Sequence, residues 1–208
     1  VGSEMCIRDS FDAEGRGRPA WAVTSPLMQE YYDTEWGMPV HEESALLERI
    51  CLEGFQSGLS WATVLRKREA FRAAFAGFDA DLVASFGEEE VERLMANPDI
   101  IRNRLKITAT LANARATVAL REKGGLDEFI WSFLPEQTLA PEKLEDIPKY
   151  TDEAVDMSKA LKKAGFKFVG PVTCFSLMEA IGMIDTHLVG SHLSLIHISE
   201  PTRQEAIS

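Results

Sequence analysis

Four stretches of this chain concentrate the residue types that do chemistry. The first is Trp21 with Tyr31-Tyr32-Asp33-Thr34-Glu35-Trp36-Gly37. The second is Cys51-Leu52-Glu53-Gly54-Phe55-Gln56-Ser57-Gly58-Leu59-Ser60-Trp61. The third is Ile100-Ile101-Arg102-Asn103-Arg104-Leu105-Lys106-Ile107. The fourth is Lys159-Ala160-Leu161-Lys162-Lys163-Ala164-Gly165-Phe166-Lys167-Phe168-Val169-Gly170. Glu53 is the carboxylate that stands out. Helical counting from Leu46 and Ile50 puts it at the edge of a buried face, and acidic side chains are seldom fully buried without a reason. Position alone leaves two readings: a recognition group, or a helix-terminal Glu that turns to solvent. The aromatic residues likewise either stack on a flat ligand or pack in an ordinary core. The Arg and Lys clusters read as solvated helix faces or as sites for anions.

These groups must be positioned by helices. Leu46, Leu47, Ile50 and Cys51 share one helical face. Glu42 and Glu43 suit its start, and Gly54 its stop. Ser60 is the expected N-cap of a second helix that turns Trp61, Val64, Leu65, Phe71 and Phe75 inward. Asp79 caps a third, and Gly87 with three Glu opens a fourth. Asn97-Pro98-Asp99 is a turn signal. Residues 100–121 follow as a long helical stretch, with Ile107, Leu111, Ala114 and Val118 on one face. Shorter helices are expected near 126–133, 153–164 and 171–181, the last with Pro171 in its first turn. Residues 166–169 are the one strand-like run, too short to build a sheet. The expected fold is all-α, a single compact unit over residues 11–192.

Composition fits an ordinary globular protein. Of 208 residues, 45% are hydrophobic and 26% charged, which excludes wholesale disorder. No uncharged apolar run is long enough to span a membrane. No secretory signal is visible, and three scattered Cys fit a reducing, cytoplasmic setting. The formal charge of −11 argues against a generally basic nucleic-acid coat. Any nucleic-acid face must therefore gather its cations locally.

Together the four stretches resemble DNA-3-methyladenine glycosylase I, a bacterial alkylation-repair family, from about Arg18 to Gly190. The resemblance implies a helix-hairpin-helix fold and a DNA glycosylase that flips N3-methyladenine out of double-stranded DNA. It implies a monomer that hydrolyses the glycosidic bond without cutting the strand. A cationic purine is recognised by aromatic faces and a carboxylate. By motif, Glu53 is the base-recognising carboxylate and Tyr31 and Trp61 the stacking residues. Trp21, Trp36 and Ser176 fall on other pocket-lining positions. Gly58 and Leu59 match the segment that fills the gap left by a flipped base. Residues 97–101 correspond to the hairpin, whose helix N-terminus would offer N–H groups to a phosphate. Arg102, Arg104, Lys106, Lys163 and Lys167 are candidate phosphate contacts. The Lys nucleophile of some glycosylases is missing from this motif. A non-catalytic lesion-binding protein on the same scaffold is the alternative.

Many relatives bind zinc through two N-terminal and two C-terminal Cys or His ligands. Here the matching positions hold Pro19, Tyr32, His187 and Ser191. Only His187 is a usual zinc ligand, so no structural zinc is expected. Residues 1–10 and 193–208 carry no pattern continuous with the rest. They are read as translated adapter sequence or as genuine flexible ends.

Overall fold

The computed structural model describes residues 17–137, 139–189, 191 and 193. The tail strings, apart from residue 193, lie outside the described residues, as do Cys6 and His192. The described residues form ten α-helices joined by turns and short 3₁₀ segments, with no β-strand. The all-α expectation holds. The helices are α1 (Pro26–Thr34), α2 (Glu43–Gln56), α3 (Trp61–Arg66), α4 (Arg68–Ala74) and α5 (Ala80–Ser85). They continue with α6 (Glu88–Ala96), α7 (Arg104–Leu120), α8 (Gly125–Trp131), α9 (Asp152–Ala164) and α10 (Pro171–Ala180).

Where the sequence suggests one unit, the chain contacts divide into two. One gathers the described residues up to Pro39, Pro135–Lys149, and those from Glu179 onward. The other holds Val40–Leu134 and Tyr150–Met178.

The second unit is built around α7, which packs against α2, α5, α6 and α8. Its apolar face of Ile107, Leu111 and Ala114 is buried as the periodicity requires. A polar face is buried too: Lys106, Thr110, Asn113 and Thr117. The hydroxyls of Thr110 and Thr117 are satisfied within the helix. They donate to Lys106 O at 3.1 Å and to Asn113 O at 2.9 Å. Phe55, Phe71, Phe75 and Phe78 are all sealed from solvent. Phe55 and Phe71 centroids lie 4.5 Å apart, and Phe75 and Phe78 stack at 5.6 Å.

Local caps set the helix starts. The Ser60 side chain accepts from Thr63 N, Asp79 from Leu82 N, Asn103 from Lys106 N and Thr151 from Ala154 N. Two details depart from the sequence reading. The expected single helix from Trp61 to Phe75 breaks at Lys67 (φ −99, ψ 1), giving α3 and α4. The long stretch from Ile100 becomes helical only at Arg104, because Asn103 caps there.

The first unit contains α1, which the hydrophobic pattern does not announce. Ser25 accepts from Met28 N and Pro26 opens the helix, but only Met28, Tyr31 and Tyr32 are buried. Arg18, 1% exposed, holds Asp33 of α1 through two bonds of 2.8 and 2.7 Å.

Candidate active site

In the second unit, Glu53 lies on the last turns of α2 and is 6% exposed. The solvent-facing alternative for this residue is therefore set aside. Its neighbour Gly54 is a close-approach position: a Cβ there would stand 3.1 Å from Phe168 Cβ. After α2 the chain turns sharply. Gly58 has φ +80 with open space where a side chain would be, and Leu59 is 42% exposed. Leu59 N donates to Gln56 O at 2.6 Å. Ser60 then caps α3, of which Trp61 is the first residue and is half-buried. Carboxylate, exposed apolar turn and indole thus follow one another along a short, tightly capped path.

The last carbonyls of α2 are held from α7. Lys106 Nζ donates to Phe55 O at 2.8 Å and to Ser57 O at 2.6 Å. Lys106 is only 8% exposed, and burial lowers its pKa from the ordinary lysine value. Its placement as a phosphate contact is corrected: the ammonium is turned inward onto backbone carbonyls. Arg104 is exposed but engaged by Glu88 at 2.7 Å and by Glu92 of α6. Arg102, Lys163 and Lys167 are exposed cations. Lys167 has its backbone fixed by Asn113, whose Oδ1 accepts from Lys167 N at 2.7 Å and whose Nδ2 donates to Lys167 O at 3.3 Å. Phe168 beside it adopts φ 56, uncommon for a bulky residue, and is 40% exposed. Ser176 is half-buried on α10.

Cys51 and Cys174 are buried, and burial pushes each thiol up to about 12. Neither is a nucleophile at neutral pH.

In the first unit, Tyr31 is buried on α1 at 2% exposure. Trp21, Tyr32, Trp36 and His187 form an aromatic cluster. Trp21 meets Tyr32 edge-on at 5.3 Å and Trp36 at 5.4 Å, while Tyr32 and Trp36 stack at 5.6 Å. The His187 ring lies 4.8 Å from Trp36. A cavity of about 50 Å³ is lined by these rings together with Glu179 and Thr186.

Pro19, Tyr32, His187 and Ser191 stand where the resemblance implies zinc ligands. All four are buried here. Burial raises the Tyr32 phenol to about 12, and the neighbouring Ser191 hydroxyl does not offset it. His187 Nδ1 lies 2.6 Å from Asp185 Oδ1, which fixes the ring. Among the described residues, no group of three or more His, Cys, Asp or Glu could hold a metal. The donor set does not fit zinc.

Glu179 in this unit has an unusual titration. Burial raises its carboxyl from 4.5 to about 7, only partly offset by the Thr186 hydroxyl that donates to it at 2.7 Å. Between those pH values the folded chain holds a proton that the unfolded chain has lost. Stability from this group is therefore fullest below about 4.5 and falls as pH rises toward 7. Glu179→Gln keeps an acceptor for Thr186. It is expected to raise stability by about 2–3 kcal/mol at pH 8 and to add little at pH 4.5. Thermal melts of both proteins across that range check this; an equal difference at both ends would contradict it.

Comparison with known proteins places the chain in a family. The model of the methyladenine glycosylase family matches residues 21–194. This chain belongs to that family. It is 47% identical over 176 residues to DNA-3-methyladenine glycosylase 1 of Escherichia coli (strain K12), covering 83% of this chain and 94% of that protein. A crystal structure of 3-methyladenine DNA glycosylase I superposes with a TM-score of 0.82 at 45% identity. That match covers 85% of this chain and 99% of the other. The Staphylococcus aureus enzyme, solved to explain its recognition of 3-methyladenine, matches with a TM-score of 0.79 at 36% identity, over 83% and 94%.

Proposed function

We infer that this chain is a DNA-3-methyladenine glycosylase that removes N3-methylated adenine from alkylated double-stranded DNA. The observation that carries the reading is the buried Glu53 carboxylate at the end of α2, leading directly into the exposed Gly58 and Leu59 turn and Trp61. N3-methyladenine in DNA offers such a carboxylate a positive ring and an exocyclic amine.

The chemistry asked of the protein is modest. The positive charge on the purine already weakens the bond between sugar C1′ and the base nitrogen. When that bond breaks, its electron pair goes to the base, which leaves neutral. Water adds at C1′ and gives up a proton, so an abasic site remains and the strand stays intact. Glu53 accepts a hydrogen bond from the amine and holds the flipped base in the pocket, an interaction of about 1.5–3 kcal/mol. Trp61 offers a ring face, with a cation–π contribution of ~0.5–2 kcal/mol. The family motif gives Tyr31 the same stacking role, and Trp21, Trp36 and Ser176 lining roles. Leu59 is the wedge that replaces the flipped base. The turn at residues 97–103 and the exposed Arg102, Lys163 and Lys167 take the phosphates. Lys106 is excluded from that set by its burial.

The reading extends to a monomer acting on DNA in the cytoplasm, without a structural zinc. The mismatch of Tyr32, Ser191 and Pro19 to zinc supports the last point. Metal analysis of the purified chain should find less than stoichiometric zinc; one zinc per chain would contradict this. No described helix is long and apolar enough to cross a membrane.

Titration with free 3-methyladenine tests the base-recognition claim. Saturable binding, with unmethylated adenine bound much more weakly, is expected. Equal affinity for the two bases would show that the site does not read the N3-methylation.

A further inference from the structure

Two lysines join the Gly58 and Leu59 turn to the turn at residues 97–103, one from each side. Lys106 lies in the first turn of α7, directly after the second turn, and its Nζ reaches back to Phe55 O and Ser57 O. Those carbonyls are the negative end of α2 and have no helical partner of their own. Lys67 lies in the break between α3 and α4, and its Nζ donates to Asp99 O at 2.9 Å and to Pro98 O at 3.3 Å. Each turn thus receives a cation from the element that follows the other.

Both ammonium groups bond to backbone carbonyls. A lysine whose task is to grip phosphate keeps its head in solvent, and Lys106 is 8% exposed. A buried ammonium is also costly without partners, so these two carbonyl bonds fix where the Ser57 backbone can sit. Lys106 further starts the buried polar face of α7, whose Asn113 fixes the Lys167 backbone. Phe168, next in the chain, lies against Gly54, the neighbour of Glu53.

We propose that Lys106 and Lys67 are positioning residues that brace the Leu59 turn against the turn at residues 97–103. Contact of one turn with the DNA backbone then sets how deeply Leu59 enters the duplex. The proposal rests on the glycosylase reading above. Neither lysine touches the base or takes part in bond cleavage; both act through the placement of Leu59.

The test compares the full chain with Lys106→Met and Lys67→Met. Single-turnover release of 3-methyladenine is measured from methylated duplex DNA and from methylated single-stranded DNA. In the single strand no partner base has to be displaced. The variants are expected to be ~10- to 100-fold slower on duplex. On single strands they should stay within about twofold of wild type, because the easily flipped base relieves the defect. The salt dependence of DNA binding should be unchanged, since a lost phosphate contact would flatten its slope by about one unit.

Equal losses on both substrates, no loss on duplex, or a flattened salt slope would overturn the brace. A role limited to fold stability would lower the melting temperature without changing the ratio of duplex to single-strand rates. If Lys106→Met fails to fold, Lys67→Met, at a less buried position, carries the same expectation. A wild-type chain that releases no base would instead refute the glycosylase reading.

Discussion

Glu53→Gln is expected to slow release of 3-methyladenine from duplex DNA by about 10- to 100-fold, the equivalent of losing one charge-assisted hydrogen bond. The fold should tolerate it, because Gln matches Glu in size at a position 6% exposed. The amide still offers an acceptor to the base amine but no longer opposes a positive ring. Affinity for free 3-methyladenine should fall along with the rate, while affinity for undamaged DNA stays unchanged. An unaltered single-turnover rate would show that Glu53 is buried for packing alone.

Phe71→Ala is expected to have the opposite profile, with a loss of stability of ~3–5 kcal/mol. Phe71 is fully sealed between Phe55, 4.5 Å away, and Phe75, 6.2 Å away. The ring stands in a layer of four phenylalanines that cannot close over a hole this large. For a chain of this length the melting temperature should drop by ~10 °C. Phe55 also provides a carbonyl to Lys106, so the cavity opens beside the end of α2. A melting temperature within about 2 °C of wild type, a shift worth under 1 kcal/mol, would mean that this layer repacks freely.

These two positions differ in how far the sequence reveals them. Phe71 lies on a helical face that simple periodicity finds. So do Leu46, Leu47 and Ile50 of α2 and Ile107, Leu111 and Ala114 of α7, and these helices form as expected. Helix α1 is hidden because only three of its residues are buried, although Ser25 and Pro26 mark its start. The break at Lys67 is hidden because it answers a distant turn, through bonds to Pro98 O and Asp99 O. The division into two units is also invisible locally, since one unit collects three separate pieces of chain.

At the site, position alone does not decide the burial of Glu53, and its role rests on the motif it shares with the family. Lys106 is obscured by its neighbours. Arg102, Arg104 and Lys106 read as one basic cluster, yet they separate into an exposed cation, an ion-paired cation and an inward one. A signal was present. Lys106, Thr110, Asn113 and Thr117 recur at helical spacing, a polar stripe beside the apolar one. Such a stripe reads as solvated when neighbours are unknown. Here it faces the carbonyls of α2 and the backbone of Lys167.

The most direct test of the account is release of free base from methylated duplex DNA, with strand integrity followed in the same sample. The expected products are free 3-methyladenine, abasic sites in equal number, and unbroken strands. Tight binding of the methylated duplex without release of base would contradict it and leave a lesion-binding protein on a glycosylase scaffold.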